Sequence, residues 1–242
     1  MLTGDVNFAI EGALEGGADE VVVNEAHAGM KNILVEELHS DASMISGNMG
    51  KTWLMMEGID ESFDAVFLVA YHAMEGTPAA IMSHTEDPHL ITAVWLGDVK
   101  VGEVGLSSLA AGHFDVPVVL VTGDDKVAAE ARALLGNIES AIVKYGISRY
   151  AARCFTPKRT SEMIMSAAER AVKRAGAMKP FKPEFPMEIR VELKTALQAS
   201  QVSKARGIRL VDPTTVASTC VDVLEANQLL SEVEHRASDP AA

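Results

Sequence analysis

Short apolar runs that each end in a polar loop constrain this chain more than any other feature. They are VVVNEAH from Val21, DAVFLVAYH from Asp64, and FDVPVVLVTGDD from Phe114. Each is long enough for one buried strand and too short to cross a membrane. The first leads into Asn24, Glu25 and His27, the second (Ala65 to Ala70) into Tyr71 and His72, and the third into Asp124 and Asp125. Successive strand–loop–helix units build a sheet covered on both faces, and such sheets gather ligands at the carboxyl ends of their strands. The expected class is therefore α/β: a three-layer, mostly parallel sheet over residues 1–155, with a smaller α+β lobe over 156–242 packed on it.

The other elements follow in order. Ala9, Ile10, Ala13 and Leu14 share one face of a helix over Thr3 to Gly17, and a short helix is expected over Asn32 to Leu38. Met44 to Gly47 reads as a brief strand. ITAVWLGDVKVGEVGLSSLAAG reads as a strand, a tight Gly97-Asp98 turn, a second strand, and a helix starting near Glu103. Asp124 and Asp125 cap the helix KVAAEARALL. Beyond residue 155 come an amphipathic helix over Thr156 to Ala177, the Pro-rich linker KPFKPEFPM, and an alternating strand MEIRVEL. A helix over Thr195 to Lys204, strand-like runs around Ile208 and Val216, a helix over Cys220 to Val233 and a frayed tail after His235 complete the chain.

Composition narrows the partners. A net charge of −13 with no Lys/Arg cluster offers no footprint for nucleic-acid phosphates, and it favours a cationic or metal ligand. Cys154 and Cys220 are isolated, which suits a reducing compartment and excludes a cysteine zinc site. The opening MLTGDVNFAIEG lacks the pattern of a signal peptide, and no stretch reaches membrane-spanning length. The expected location is the cytoplasm, with no membrane partner.

His27 and His72 end two strands expected in one sheet, so their imidazoles converge if those strands are neighbours. Glu103, between two glycines at a helix start, can reach the same crevice, and imidazole plus carboxylate suits zinc or a similar divalent cation. His84, close in sequence to His72, is placed to act as general acid, base or oxyanion stabiliser. The residues alone equally admit a plainer reading: His72 hydrogen-bonded at a sheet edge, His27 in a loop, Glu103 favoured by the helix dipole. His39, His89, His113 and His235 read as surface or packing residues. No phosphate-binding loop and no GxSxG elbow is present.

Taken in order, VVVNEAH, FLVAYHAMEGTPAAIMSH, VGEVGL and FDVPVVLVTGDD resemble the zinc-dependent D-aminopeptidases of the DppA type, from about residue 2 to about residue 160. The resemblance implies a centre of two Zn2+ ions that releases amino-terminal residues, typically D-amino acids, from short peptides. It implies His27, His72 and Glu103 as metal ligands, His84 as the catalytic histidine, and a ring-like homo-oligomer around the site. The family pattern also opens with a strand carrying Ser-x-Asp-x-Glu-Gly, whose carboxylates complete the metal shell. Met1-Leu2 corresponds to the helix after that strand, and Glu11-Gly12 lies mid-helix. An alternative expectation is therefore a non-catalytic scaffold or peptide-binding subunit with two exposed sheet edges. A metal-dependent hydrolase of another amide or ester is a third.

Overall fold

The structure is a computed structural model that describes residues 1–47 and 52–238. It is a mixed α/β fold. Helix α1 (Leu2–Glu15) buries Val6, Ala9, Ile10 and Ala13 at helical spacing. Strand β1 (Val21–Asn24) runs parallel to β2 (Ala42–Ile45) as a two-stranded sheet. Between them the expected helix at 32–38 shrinks to a single 3₁₀ turn, Val35–Glu37. Side chains claim the backbone there: Asn32 Nδ2 donates to the His27 carbonyl at 2.9 Å, and the Leu34 amide to Thr3 Oγ1 at 3.0 Å. Such side-chain bonds offer the backbone an alternative to the helical ladder.

The four-stranded sheet has the order β3-β6-β7-β8, where β3 is Val66–Tyr71, β6 is Val118–Asp124, β7 is Glu139–Ser148 and β8 is Ala151–Cys154. The first three run parallel, and β8 returns antiparallel on β7. Ala141 and Val143 alternate inward along β7, the period-two signal of that strand. Helices α2 (Glu103–His113) and α3 (Asp125–Leu135) cover one face, where Val104, Val127 and Ala131 meet Leu68 and Val121. The other face is covered by α1 and α4 (Pro157–Arg174), with Ala9, Ile164 and Ala168 against Val119, Leu120 and Val143. These are the three expected layers.

The third sheet is antiparallel throughout, in the order β10-β11-β9-β4-β5. It joins β4 (Ile91–Leu96) and β5 (Val99–Val101) to β9 (Met187–Leu193), β10 (Arg209–Leu210) and β11 (Thr215–Cys220). This sheet draws strands from both sides of residue 155, so the expected division there does not follow a sheet boundary. The reason is pairing: β4 is a buried strand whose backbone needs partners on both edges, and β5 supplies only one. Helices α5 (Ala196–Val202) and α6 (Val223–Ser238) pack on this sheet. Cys220, expected to open α6, instead closes β11 opposite Met187. Asp222 and Glu225 start the helix reciprocally, Asp222 accepting the Glu225 amide and Glu225 the Val221 amide. Residues 239–242 of the expected tail lie outside the described residues.

Helix α2 positions the site. Every residue from Glu103 to Gly112 is buried, because α2 lies between the two larger sheets, with Leu106 and Leu109 turned to the antiparallel sheet and Val104 and Ala111 to the parallel one. Such a helix has no solvent face, which explains its small and apolar residues. His27 and His72 follow strands of different sheets, which corrects the expectation of one. Among the described residues β1 is laddered only to β2, and β3 only to β6. The two are nevertheless covered together by α1, whose Val6 and Ile10 share an apolar cluster with Val21, Val23 and Val69. No helix among the described residues is long and apolar enough to cross a membrane.

Candidate metal centre

The backbone bends just before His72. Ala70 takes a left-handed φ of 61°, the β3–β6 register slips between Leu68 and Tyr71, and the Ala70 amide turns to Thr122 Oγ1 at 2.8 Å. A bulge of this kind re-aims the side chain that follows it. The His72 ring stacks on His84, with centroids 3.8 Å apart and planes 20° apart. His27 approaches both edge-on, at 6.2 Å from His72 and 5.8 Å from His84. One ring nitrogen from each of the three lies within 4.8 Å of the others. Glu103 reaches in from the first turn of α2, its Oε2 3.3 Å from His72 Nε2 and its Oε1 3.6 Å from His84 Nε2.

The nitrogens divide their work. His72 Nδ1 lies 3.2 Å from the Ala73 carbonyl and His84 Nδ1 2.6 Å from the Met82 carbonyl. A carbonyl only accepts, so each Nδ1 carries a proton; Nε2 is left to offer a lone pair to a metal, and in the metal-free site a protonated His72 donates from Nε2 to Glu103. That is the tautomer a metal ligand requires, fixed by an outer hydrogen bond. The spacing fits as well. Two donors bound at about 2.0–2.1 Å to one tetrahedral zinc stand about 3.3 Å apart. The residues present therefore fit a zinc ion.

A family model described as D-aminopeptidase matches residues 1–231. The chain belongs to the D-aminopeptidase family. A D-aminopeptidase of Bacillus subtilis (strain 168) is 35% identical over 234 residues, covering 95% of this chain and 83% of that relative. A solved structure, the Zn-dependent D-aminopeptidase DppA from Bacillus subtilis, described as a self-compartmentalizing protease, superposes with a TM-score of 0.94 at 33% identity. That match covers 99% of this chain and 87% of the solved chain. Membership makes this chain a hydrolase of the aminopeptidase class.

All four residues expected from the sequence, His27, His72, His84 and Glu103, thus meet at one point of a family fold. Asp124 is elsewhere engaged, capping α3 by accepting the Lys126 and Val127 amides. His113 ends α2 at the opposite terminus from Glu103 and packs on Trp53, with ring centroids 4.9 Å apart. Sequence reasoning missed the groups that hold the site. Buried Glu25 accepts from Asn32 Nδ2 at 2.7 Å, from the Asn32 amide, and from the Ile33 amide at 3.1 Å, while Asn32 Nδ2 also holds the His27 carbonyl. The signal was the carboxylate at a strand end, where an unpaired charge does not stay buried. Replacing Glu25 with alanine leaves those donors without an acceptor, and is expected to cost about 2–3 kcal/mol in urea unfolding. A loss below about 0.5 kcal/mol would remove Glu25 from the support of the His27 loop.

Burial sets the electrostatics, and neighbours modify it. Burial alone would lower the His72 pKa, but the Glu103 carboxylate outweighs it and holds the imidazole above its ordinary value. Burial would raise Glu103, yet the hydrogen bond and charge of His72, the charge of His84 and the Glu86 amide bring it below the ordinary carboxylate range. His84 is lowered, by burial first and by the adjacent His72 second. The stacked pair is therefore split, His72 disposed to carry charge and His84 to stay neutral.

Proposed function

We propose that this chain is a zinc-dependent aminopeptidase that releases amino-terminal residues, of D configuration, from short peptides. Zinc is held by His27, His72 and Glu103, and His84 acts on the reacting groups. The observation that carries the reading is the meeting of three imidazoles and one buried carboxylate at donor spacing, in a fold of this family. Two ions per site is the family expectation. His27, His72 and Glu103 would hold the first, and Glu103 turns one oxygen toward each of His72 and His84.

Zinc supplies an activated water and polarises the scissile carbonyl. The rest falls to the protein. His84 is neutral by virtue of its burial, with Nδ1–H committed to Met82 and a free lone pair on Nε2. It therefore takes a proton at Nε2 first and can return it to the leaving amine afterwards. Burial of Glu103, His72 and His84 excludes water, which strengthens each of these interactions. The net charge of −13 draws cations and the ammonium end of a peptide toward the protein. A homo-oligomer closing around the site would admit only short peptides, and two free thiols, one of them exposed, suit the cytoplasm.

The test separates ligand from catalyst. Zinc per chain is measured on the purified protein, with hydrolysis of D-Ala and L-Ala p-nitroanilides, for wild type and His84→Ala. The expected result is chelator-sensitive turnover with the D substrate, and in His84→Ala a roughly 10²–10⁴-fold lower kcat with zinc retained. Loss of zinc in His84→Ala would make His84 a ligand instead. A chain without zinc or turnover would be a scaffold or peptide-binding subunit.

Zinc affinity is also expected to rise with pH. Because the pKa of His72 is held above its ordinary value, the metal-free site keeps a proton there below that pKa, and zinc has to displace it. Each pH unit below it should weaken binding about tenfold per displaced proton, with a plateau above. Competition with a chromogenic chelator from pH 6 to 8 reads this directly. A flat profile would contradict His72 as ligand.

A further inference from the structure

Two carboxylates, Asp124 at the N-cap of α3 and Glu130 within it, are turned toward the loop that carries both central histidines. Asp124, fully buried, caps the helix with Oδ1, accepting the Lys126 amide at 3.0 Å and the Val127 amide at 2.9 Å. Its Oδ2 is left over and accepts the Ile81 amide at 2.9 Å, three residues before His84. Glu130 Oε2 accepts the Met74 amide at 2.8 Å, two residues after His72. The loop between these anchors has little regular structure: Thr77 and Ala80 close single turns, and Ala79 and Met82 hold left-handed φ values of 55° and 52°. Such backbone persists only where its surroundings over-determine it.

Glu130 also lies against the residue that precedes Glu103. Its Oε1 is buried and makes no hydrogen bond among the described residues. A Cβ added at Gly102, the residue before Glu103, would lie 2.8 Å from that oxygen and 2.7 Å from Met74 Cβ. One carboxylate is thus wedged between the backbone just after His72 and the backbone just before Glu103. A buried carboxylate with an idle oxygen is a costly way to satisfy one amide, where a neutral acceptor would serve at lower cost.

We propose that Asp124 and Glu130 are positioning residues, which hold the His72–His84 loop against α3 and so set the spacing of the metal-binding groups. The inference rests on the reading of that cluster as a zinc site. Neither carboxylate touches the reacting atoms. Both act through backbone amides, one from the cap of α3 and one from within it, as outer supports of a metal site do.

The test compares wild type with Glu130→Gln, Glu130→Leu and Ala131→Gly, the last a buried α3 residue whose substitution weakens the helix and leaves both carboxylate anchors of the loop in place. Zinc affinity by chelator competition, melting temperature, and the imidazole NMR signals of the metal-free proteins are read for each. Glu130→Leu is expected to lose about 10–100-fold in zinc affinity and to shift the His72 and His84 signals. Glu130→Gln, which keeps an acceptor for Met74, should stay within about threefold, and Ala131→Gly should lower the melting temperature with zinc affinity and both signals unchanged. Wild-type affinity in Glu130→Leu, or an equal affinity loss in Ala131→Gly, would overturn the proposal. So would a loss in Glu130→Gln as large as in Glu130→Leu, since that assigns the effect to charge. If wild type binds no zinc, the zinc reading fails by itself, and the metal-free histidine signals still decide whether Glu130 positions the loop.

Discussion

Replacing His72 with alanine is expected to weaken zinc binding by more than about 100-fold, beyond what losing an outer partner of a metal ligand costs, and to take peptide hydrolysis to background. His72 is buried, stacks on His84, and is the closest imidazole to Glu103. Its removal acts twice. The site loses one nitrogen donor, and Glu103 loses the partner that holds its carboxyl below the ordinary range, so burial then favours the protonated, non-binding form. The two losses compound because the groups act as one unit. The measurement is chelator competition at pH 7.5, with near-UV circular dichroism to confirm the fold. His39→Ala is the control, since His39 lies outside the cluster and its ring accepts the Asp41 amide. A His72→Ala protein that binds zinc within about threefold of wild type would remove His72 from the metal shell.

Gly123→Ala is expected to be strongly damaging to the parallel sheet. Gly123 pairs with Tyr71 across β3 and β6, and a Cβ there would lie 2.3 Å from the Tyr71 carbonyl oxygen and 2.5 Å from Val127 Cγ1. The oxygen belongs to a ladder strand and the valine to the buried first turn of α3, so neither can yield cheaply. Overpacking of a tight core costs typically 1–3 kcal/mol, and with backbone as the obstacle about 3 kcal/mol is the expected loss. For a chain of this length that lowers Tm by roughly 6–12 °C. Tyr71 directly precedes His72, so zinc affinity should fall as well. Urea unfolding reads the first effect, and a change under about 0.5 kcal/mol would show that β3 and β6 separate more freely than their packing allows.

The parts of the site legible in the sequence share one property: each is a local signal. An apolar run that stops at a histidine marks a strand end at His27 and at His72, and the glycine-flanked Glu103 marks a helix start. Resemblance to a family ordered these signals and attached zinc to them. The supports were not legible in the same way. Glu25, Asn32 and Glu130 look like ordinary polar residues until the backbone groups they serve are known, and those groups lie 5 residues away for Asn32, 7 and 8 for Glu25, and 56 for Glu130 and Met74.

The sequence by itself determined the α/β class, most strand and helix positions and the capping of α3 by Asp124, because periodicity and end signals are written within a few residues of one another; with the family resemblance it also singled out the four residues that meet in the cluster. Only the tertiary structure decided that β4 and β5 leave the parallel sheet to join β9, β10 and β11, that β1 and β3 belong to separate ladders, and that α2 is buried on all sides. Strand partners are chosen by which apolar faces and open edges remain to be covered once the chain has collapsed, and that choice has no signature in any single stretch.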